Sequence, residues 1–305
     1  MSALSTHVED YLRLRRALGF KLEREGQWLA QLAALVDASG VETLTSELAI
    51  AWAQQSASGP NRSAKRLGVA RKFAAYLHTI VPATEVPPPG VFPARRHRPT
   101  PYLWSQEDIG RLLEGARALR PPLRAASHEA IFGLLASSGM RIGEAVGLQG
   151  DDVDLGASVI TIREAKFDRW RLVPVHPTVT DALSRYAAER DRLCPRPRSD
   201  AFFVSSTGNA LDRSGVGKTL RQITTAMGTR TETVRPRVHD LRHSFAVRTL
   251  IEWQRSAVRV DERIVVLSTY LGHVSPADTY WYLSASPELM TLAAERLDVR
   301  FGARR

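Results

Sequence analysis

The chain has 305 residues, 44% of them hydrophobic, and its 42 lysines and arginines outnumber 32 aspartates and glutamates for a formal charge of +10. That length suits two ordinary globular cores better than one, and the positive surplus suits an anionic polymer as partner. A single cysteine, Cys194, excludes an intrachain disulfide; the N-terminus MSALSTHVEDYLRLRR lacks the apolar core of a signal peptide, and the longest nearly apolar run, Ala130 to Met140, is too short to span a bilayer, so a cytoplasmic protein with no membrane partner is expected.

From the N-terminus, apolar residues recur at helical spacing in four stretches: Val8, Tyr11, Leu12 and Leu18; Trp28, Leu29, Leu32, Leu35 and Val36; Leu48, Ala49 and Trp52; Leu67, Ala70, Ala74, Leu77 and Val81. Gly40 and Pro60 punctuate them and Pro82 stops the last, which predicts a small all-helical domain over 1–82. The fourth stretch also carries Arg62, Lys65, Arg66, Arg71 and Lys72, a candidate face for nucleic acid that a merely solvated face would resemble. Seven of the 17 prolines then fall between Pro82 and Pro101. Missing N–H donors and the restricted residues before each proline block a helix, so 83–101 reads as a linker, with Arg95, Arg96 and Arg98 able to track a phosphate backbone.

Residues 102–305 form the second expected domain. Ser105 with Asp108 starts a helix as a capping box, and helical patterns follow near 122–137 and 141–148. The period then changes. Ser158 to Arg163 and Trp170 to Val175 are β-rich runs joined by a short polar turn, a hairpin with Lys166 near its tip. Helical patterns resume near 178–192, 213–227, 239–254 and 261–271, and a last helix runs from Pro287 to about Arg300. The fold class is mainly α with a small β-hairpin.

Four clusters in this second part could converge on one phosphate. Arg141 in SSGMRIGEAVGL and Arg242 in VHDLRHSFAVR have the planar, permanently charged fork that suits phosphate oxygens. His239 lies three residues before Arg242, on the same helix face. Arg141 stands at a helix start, where free N–H groups also favour an anion, and Glu144 could hold its guanidinium. Lys166 is the only lysine of a hairpin whose other cations, Arg163, Arg169 and Arg171, are arginines. Tyr282 follows His273 by nine residues and Tyr280 by seven. A phenol with a pKa near 10 needs a base or strong positive potential to attack a phosphodiester, and His239 is the first candidate acceptor.

Other chemistries fit less well. His239 and His243 lack the glutamate of HExxH and flank an arginine that repels a cation, so no metal is expected. In SGVGKT, Asp212 stands where the first glycine of a phosphate loop belongs, and Ser137 and Ser138 lack a nucleophile elbow.

Together, Arg141, Lys166, His239, Arg242, His273 and Tyr282 resemble, in chain order, the six active-site positions of the tyrosine recombinase family, and the resemblance covers nearly the whole chain. It implies a two-domain C-shaped clamp on double-stranded DNA, with a helical core-binding (SAM-like) domain ahead of an α+β catalytic domain. It implies a reaction without metal or cofactor: Tyr282 attacks a DNA phosphate, forms a 3′-phosphotyrosine and releases a 5′-hydroxyl, with Lys166 protonating the leaving oxygen and His273 bonding the phosphate. It also implies a homotetramer on paired sites, alone or with other recombinases. The chain begins at the helical domain, so arm-site binding of the lambda type is not expected. The run Thr279-Tyr280-Trp281-Tyr282-Leu283-Ser284 departs from the Tyr-Thr-His continuation common in Xer-type resolvases and looks like recombinases of transposons or integrative elements. The alternatives are Xer-like dimer resolution, a non-cutting DNA-binding accessory protein and, among enzymes, a type IB topoisomerase.

Overall fold

The structure, a computed structural model, describes residues 2–55, 59–93, 100–164, 169–256, 260–273, 275, 277–284 and 287–302. Contacts divide the chain into two units, Met1–Arg98 and Pro99–Arg305. Arg95, Arg96, Arg98 and Lys166 lie outside the described residues.

In the first unit, the four apolar stretches become α1 (Ala3–Ala17), α2 (Glu23–Ser39), α3 (Ser46–Gln54) and α4 (Pro60–His78). Ser2 and Thr45 cap α1 and α3 by accepting from the amides of Ser5 and Leu48, and Pro60 occupies the first turn of α4, where a missing N–H costs nothing. Their inward stripes, including Leu29, Leu32, Val36, Trp52, Phe73 and Leu77, form one buried core. The proline-rich stretch does not leave this unit at residue 83. Thr84 is buried with its hydroxyl 2.8 Å from that of Thr43, the Glu85 amide donates to the Leu44 carbonyl at 3.0 Å, and Val91 and Phe92 pack on the core. Proline blocks a helix but leaves an extended chain free to seal an apolar surface. The division between units accordingly falls after Arg98.

In the second unit, Ser105 and Asp108 form the expected reciprocal cap on α5 (Gln106–Arg117). The long α6 (Pro122–Ser138) follows, buried nearly all round, with α5 and α8 packed on it. The expected helix over 141–148 shrinks to α7 (Ile142–Ala145), because Gly143 and Gly147 weaken a helix and the chain turns at Gly147 to pair further on. The sheet has three antiparallel strands in the order β1-β2-β3: β1 (Val153–Asp154), too short for a sequence signal, then β2 (Val159–Glu164) and β3 (Arg169–Pro174), which form the hairpin. In its register Ile160 faces Val173 and Ile162 faces Arg171. Beyond it run α8 (Pro177–Leu193), α9 (Arg213–Ala226), α10 (Val238–Arg255), α11 (Val260–Leu271), the unforeseen single turn α12 (Ala277–Tyr280), a 3-10 turn over Trp281–Ser284 and α13 (Pro287–Gly302). No helix among the described residues is long and apolar enough to cross a membrane.

Two cores stand side by side in this unit. The larger centres on α6 with Phe202, Phe203 and Tyr186; the smaller joins Val247 and Leu250 of α10, Leu267 and Leu271 of α11, Tyr282 and Leu289 of α13. Gly139 links them. It ends α6 with φ 62°, in the left-handed region, and a Cβ there would overlap the Phe245 ring of α10. Gly139→Ala is expected to lower stability by about 1–3 kcal/mol. Denaturant unfolding followed by circular dichroism reads this as a lower midpoint; an unchanged midpoint would refute the packing of α6 on α10 described here.

Candidate active site

The site is built around the C-terminus of α11. The last carbonyls of a helix have no intrahelical donors and carry partial negative charge. Here the last two, and the carbonyl of Gly272 just past the helix end, receive arginines from three separate elements. The Tyr270 carbonyl accepts Arg171 Nε of β3 at 3.2 Å, the Leu271 carbonyl accepts Arg242 Nη2 of α10 at 2.8 Å, and the Gly272 carbonyl accepts Arg141 Nη2 at 2.6 Å. Gly272 permits this convergence twice over. Its φ of 67° turns the chain out of the helix, and a Cβ on it would stand 2.6 Å from Arg171 Nη1.

Each arginine is also tied to its own surroundings. Arg242 is 2% exposed, donates its Nη1 to the Gly139 carbonyl at 2.9 Å and stands close enough to Tyr282 for the phenol to bear on its charge. Arg141 caps α7: its amide donates to Glu144 Oε2 at 2.9 Å and its Nη1 to Oε1 at 2.7 Å. Arg171 Nη2 donates to the same Glu144 Oε2 at 2.8 Å. Glu144 therefore does support Arg141, and it is shared with a second arginine. With only four residues in α7, an anion here would be held by guanidinium rather than by a helix dipole. Arg141 is the most open of the three, with 37% of its side chain exposed.

The first turn of α10 is fixed by Arg237 and Asp240, whose buried carboxylate accepts the Arg237 amide at 2.8 Å and its guanidinium at 2.7 Å. That lock sets His239 and Arg242 on one face. His239 packs edge to face against His243, with ring centroids 4.5 Å apart. His273 follows Gly272, and its Nδ1 is 2.7 Å from the hydroxyl of buried Thr279, which orients the ring. The short turns after α11 then separate the two tyrosines. Tyr282 is 3% exposed and stacks on His273 at 6.0 Å, whereas Tyr280 is 53% exposed.

Burial and the positive charge set the protonation of the neighbouring groups. Burial, then Arg242 and Arg141, push His273 down to about 4, against a small opposing effect of Asp278. His239 is lowered too, by the protein packed around its inner side and by Arg242, although its outer edge is exposed. Both imidazoles are thus neutral at pH 7 in the free protein and able to accept a hydrogen bond or a proton. Burial alone would raise the Glu144 carboxyl, but Arg171 and Arg141 outweigh it and hold it below its usual range.

Of the six catalytic positions expected from sequence, Arg141, His239, Arg242, His273 and Tyr282 come together around this turn, with Glu144 beside them. Arg171 and Thr279 belong to the same network and were not singled out. On α4, Arg62, Lys65 and Lys72 are exposed and Arg71 is partly so; Arg66 is buried with its guanidinium 4.0 Å above the Trp52 ring, inside the unit rather than on its charged face. SGVGKT lies in the first turns of α9, capped by Asp212. Among the described residues no group of three or more His, Cys, Asp or Glu side chains could hold a metal ion.

This fold and this cluster define a tyrosine recombinase. Residues 105–288 match the phage integrase family, and the chain belongs to it, a family of DNA breaking and rejoining enzymes. The chain is 42% identical over 310 residues to the putative integrase/recombinase y4rB of Sinorhizobium fredii, covering 99% of each, and 30% identical over 234 residues to the tyrosine recombinase XerD of Lacticaseibacillus casei, covering 76% of this chain and 75% of that protein. Among solved structures its fold is similar to that of the Tn1549 transposon integrase in complex with transposon right end DNA, with TM-score 0.66, 14% identity and coverage of 99% and 100%. It is also similar to the XerH recombinase bound to its difH substrate, with TM-score 0.65, 17% identity and coverage of 92% and 82%.

Arg141→Ala removes one of the charges that depress His273, so the imidazole midpoint should rise from about 4 toward the ordinary value, as read by NMR titration. A midpoint that does not move would show that burial alone sets it. Because the folded value lies below the unfolded one near 6.5, the unfolded chain binds the extra proton between them. Stability should accordingly fall as pH drops from about 6.5 through about 4, and this slope should flatten in His273→Gln, measured by denaturant midpoints across that range.

Proposed function

We propose that the chain is a site-specific DNA recombinase that cuts and rejoins strands through a 3′-phosphotyrosine intermediate, with Tyr282 as nucleophile. The observation that carries this reading is the burial of Tyr282 against His273, beside the turn whose Leu271 and Gly272 carbonyls fix the guanidiniums of Arg242 and Arg141. A phosphate placed between the two arginines lies within reach of that phenol. Arg141 and Arg242 donate to the non-bridging oxygens and stabilise the charge that builds on them as the fifth bond forms.

The step balances without a cofactor. The Tyr282 oxygen forms a bond to phosphorus as the bond from phosphorus to the 5′ oxygen breaks. The phenolic proton passes to neutral His239, and the departing 5′ oxygen takes a proton, by family resemblance from Lys166. His273 donates from Nε2 to the phosphate, with its Nδ1 accepting from Thr279. A 5′-hydroxyl of a second strand reverses the step. Exposed Arg62, Lys65 and Lys72, with Arg71, supply backbone contacts from the helical domain, and Arg95, Arg96 and Arg98 from the connecting stretch. The catalytic domain spans 102–305 and acts on paired sites as a homotetramer, with or without other recombinases.

A role in moving an integrative element is supported by the integrase/recombinase relative of full length and by the run around Tyr282. The XerD relative supports the second reading, resolution of joined replicons. Incubation with nicked duplex from the DNA flanking the gene, followed by a denaturing gel, tests the chemistry. A covalent adduct is expected from the native chain and from Tyr280→Phe, and none from Tyr282→Phe. Arg141→Ala should slow adduct formation by about 10²–10³-fold while the chain stays folded. An adduct that survives Tyr282→Phe would overturn the assignment.

A further inference from the structure

The third arginine of the cluster has no role in the reaction as written above, yet it is among the most deeply held charges of the site. Arg171 is 14% exposed on its side chain and stands on the inward face of β3, opposite Ile162 and in phase with buried Val173. An arginine at such a position is costly to desolvate unless its donors are met. They are met by the Tyr270 carbonyl at 3.2 Å and Glu144 Oε2 at 2.8 Å, with the Leu271 carbonyl at 3.5 Å. None of these partners belongs to its own hairpin. Two lie at the turn whose carbonyls hold Arg242 and Arg141, and one is the carboxylate that orients Arg141.

Glu144 holds the key to what this accomplishes. A carboxylate beside an arginine prefers a bidentate, fork-to-fork pair, in which both oxygens face the guanidinium and its charge is compensated locally. In this site only Oε1 reaches the Arg141 guanidinium, at 2.7 Å, and Arg141 Nη2 is drawn instead to the Gly272 carbonyl at 2.6 Å. Oε2 is taken by Arg171 and by the Arg141 amide. Glu144 thus steers Arg141 without capturing it, and its negative charge is spread over two cations.

We infer that Arg171 is a positioning residue for strand cleavage: by occupying Glu144 Oε2 it keeps Glu144 from closing a bidentate pair on Arg141, so that the Arg141 guanidinium, held by Oε1 alone of that carboxylate, remains aimed at the phosphate. This rests on the reading of Arg141 and Tyr282 given above. Without Arg171, Glu144 swings toward Arg141, the guanidinium turns away from the Gly272 carbonyl, and the phosphate loses a donor in the transition state. The loss falls on the rate of cleavage more than on DNA affinity, which draws on many backbone contacts. Displacement of one donor by about 1 Å is enough for an effect of up to about 100-fold.

A suppressor experiment separates this from a merely structural role. Single-turnover adduct formation on the nicked duplex is measured for the native chain, Arg171→Gln, Glu144→Gln and the double variant, with thermal midpoints recorded for each. Glutamine at 171 keeps an N–H for the Tyr270 carbonyl and releases Glu144; glutamine at 144 keeps an acceptor for Arg141 Nη1 but cannot form the ionic bidentate pair. Arg171→Gln should slow cleavage by about 10- to 100-fold with DNA affinity unchanged, and the double variant should cleave faster than Arg171→Gln alone. Should Arg171→Gln not fold, Arg171→Met, which likewise leaves Glu144 Oε2 without this donor, carries the same comparison. A native rate in the position-171 variant, or a double variant no faster than that single one, would overturn the inference while leaving the nucleophile assignment intact. Absence of any adduct from the native chain would sink both.

Discussion

The C-terminal turn of α11 is the constraint on which the site depends. Arginines from β3, α10 and the start of α7 are distant in sequence, and like charges resist being gathered. Three consecutive carbonyls overcome that resistance: those of Tyr270 and Leu271 end α11 without partners in the helix, at the negative end of its dipole, and that of Gly272 follows on the turn out of it. A single carboxylate, Glu144, supplies the only acidic side chain bonded to these arginines among the described hydrogen bonds. Positive potential therefore accumulates where the phenol of Tyr282 sits, and the scaffold meets its cost before a phosphate arrives.

Burial and the same charge together fix the chemistry of the histidines. An imidazole desolvated by the protein packed on it, and lying beside Arg242 and Arg141 as well, loses its proton readily, so His239 and His273 stand neutral in the free protein. A bound phosphate would offset the arginines and move both groups back toward their ordinary values, which suits residues that exchange a proton or a hydrogen bond with the reacting atoms. The apolar wall formed by Leu267, Leu271, Leu289 and the Tyr282 ring keeps water from screening these interactions.

Much of this was legible in the chain. The four helices of the first unit, the capping box at Ser105 and the hairpin followed from periodicity and cap residues, because each is a local decision of the backbone. The pairing of Tyr282 rather than Tyr280 with the site followed from spacing and family resemblance, and their opposite burial agrees with it. Arg171 was not legible for a specific reason. A strand offers two faces in period two, and Trp170 with Leu172 is the more apolar of the pair; yet those two are 68% and 53% exposed, and Arg171 with Val173 faces inward. Only the long-range acceptors at the end of α11 make an inward arginine stable. Arg66 failed to read correctly in the same way, since a cation on a basic helix looks solvated until an aromatic such as Trp52 lies beneath it. The packing of residues 84–92 on the helical unit was hidden because proline content reports what the chain cannot form, not what it rests against.

The most direct test of the central claim is a crystal structure of the Tyr282→Phe variant bound to its DNA site. The expected result has the scissile phosphate between Arg141 and Arg242, with both guanidiniums still donating to the carbonyls of Gly272 and Leu271 as they do in the free protein. Guanidiniums that leave those carbonyls to reach the phosphate, or a phosphate bound elsewhere, would contradict a site prebuilt on the α11 turn.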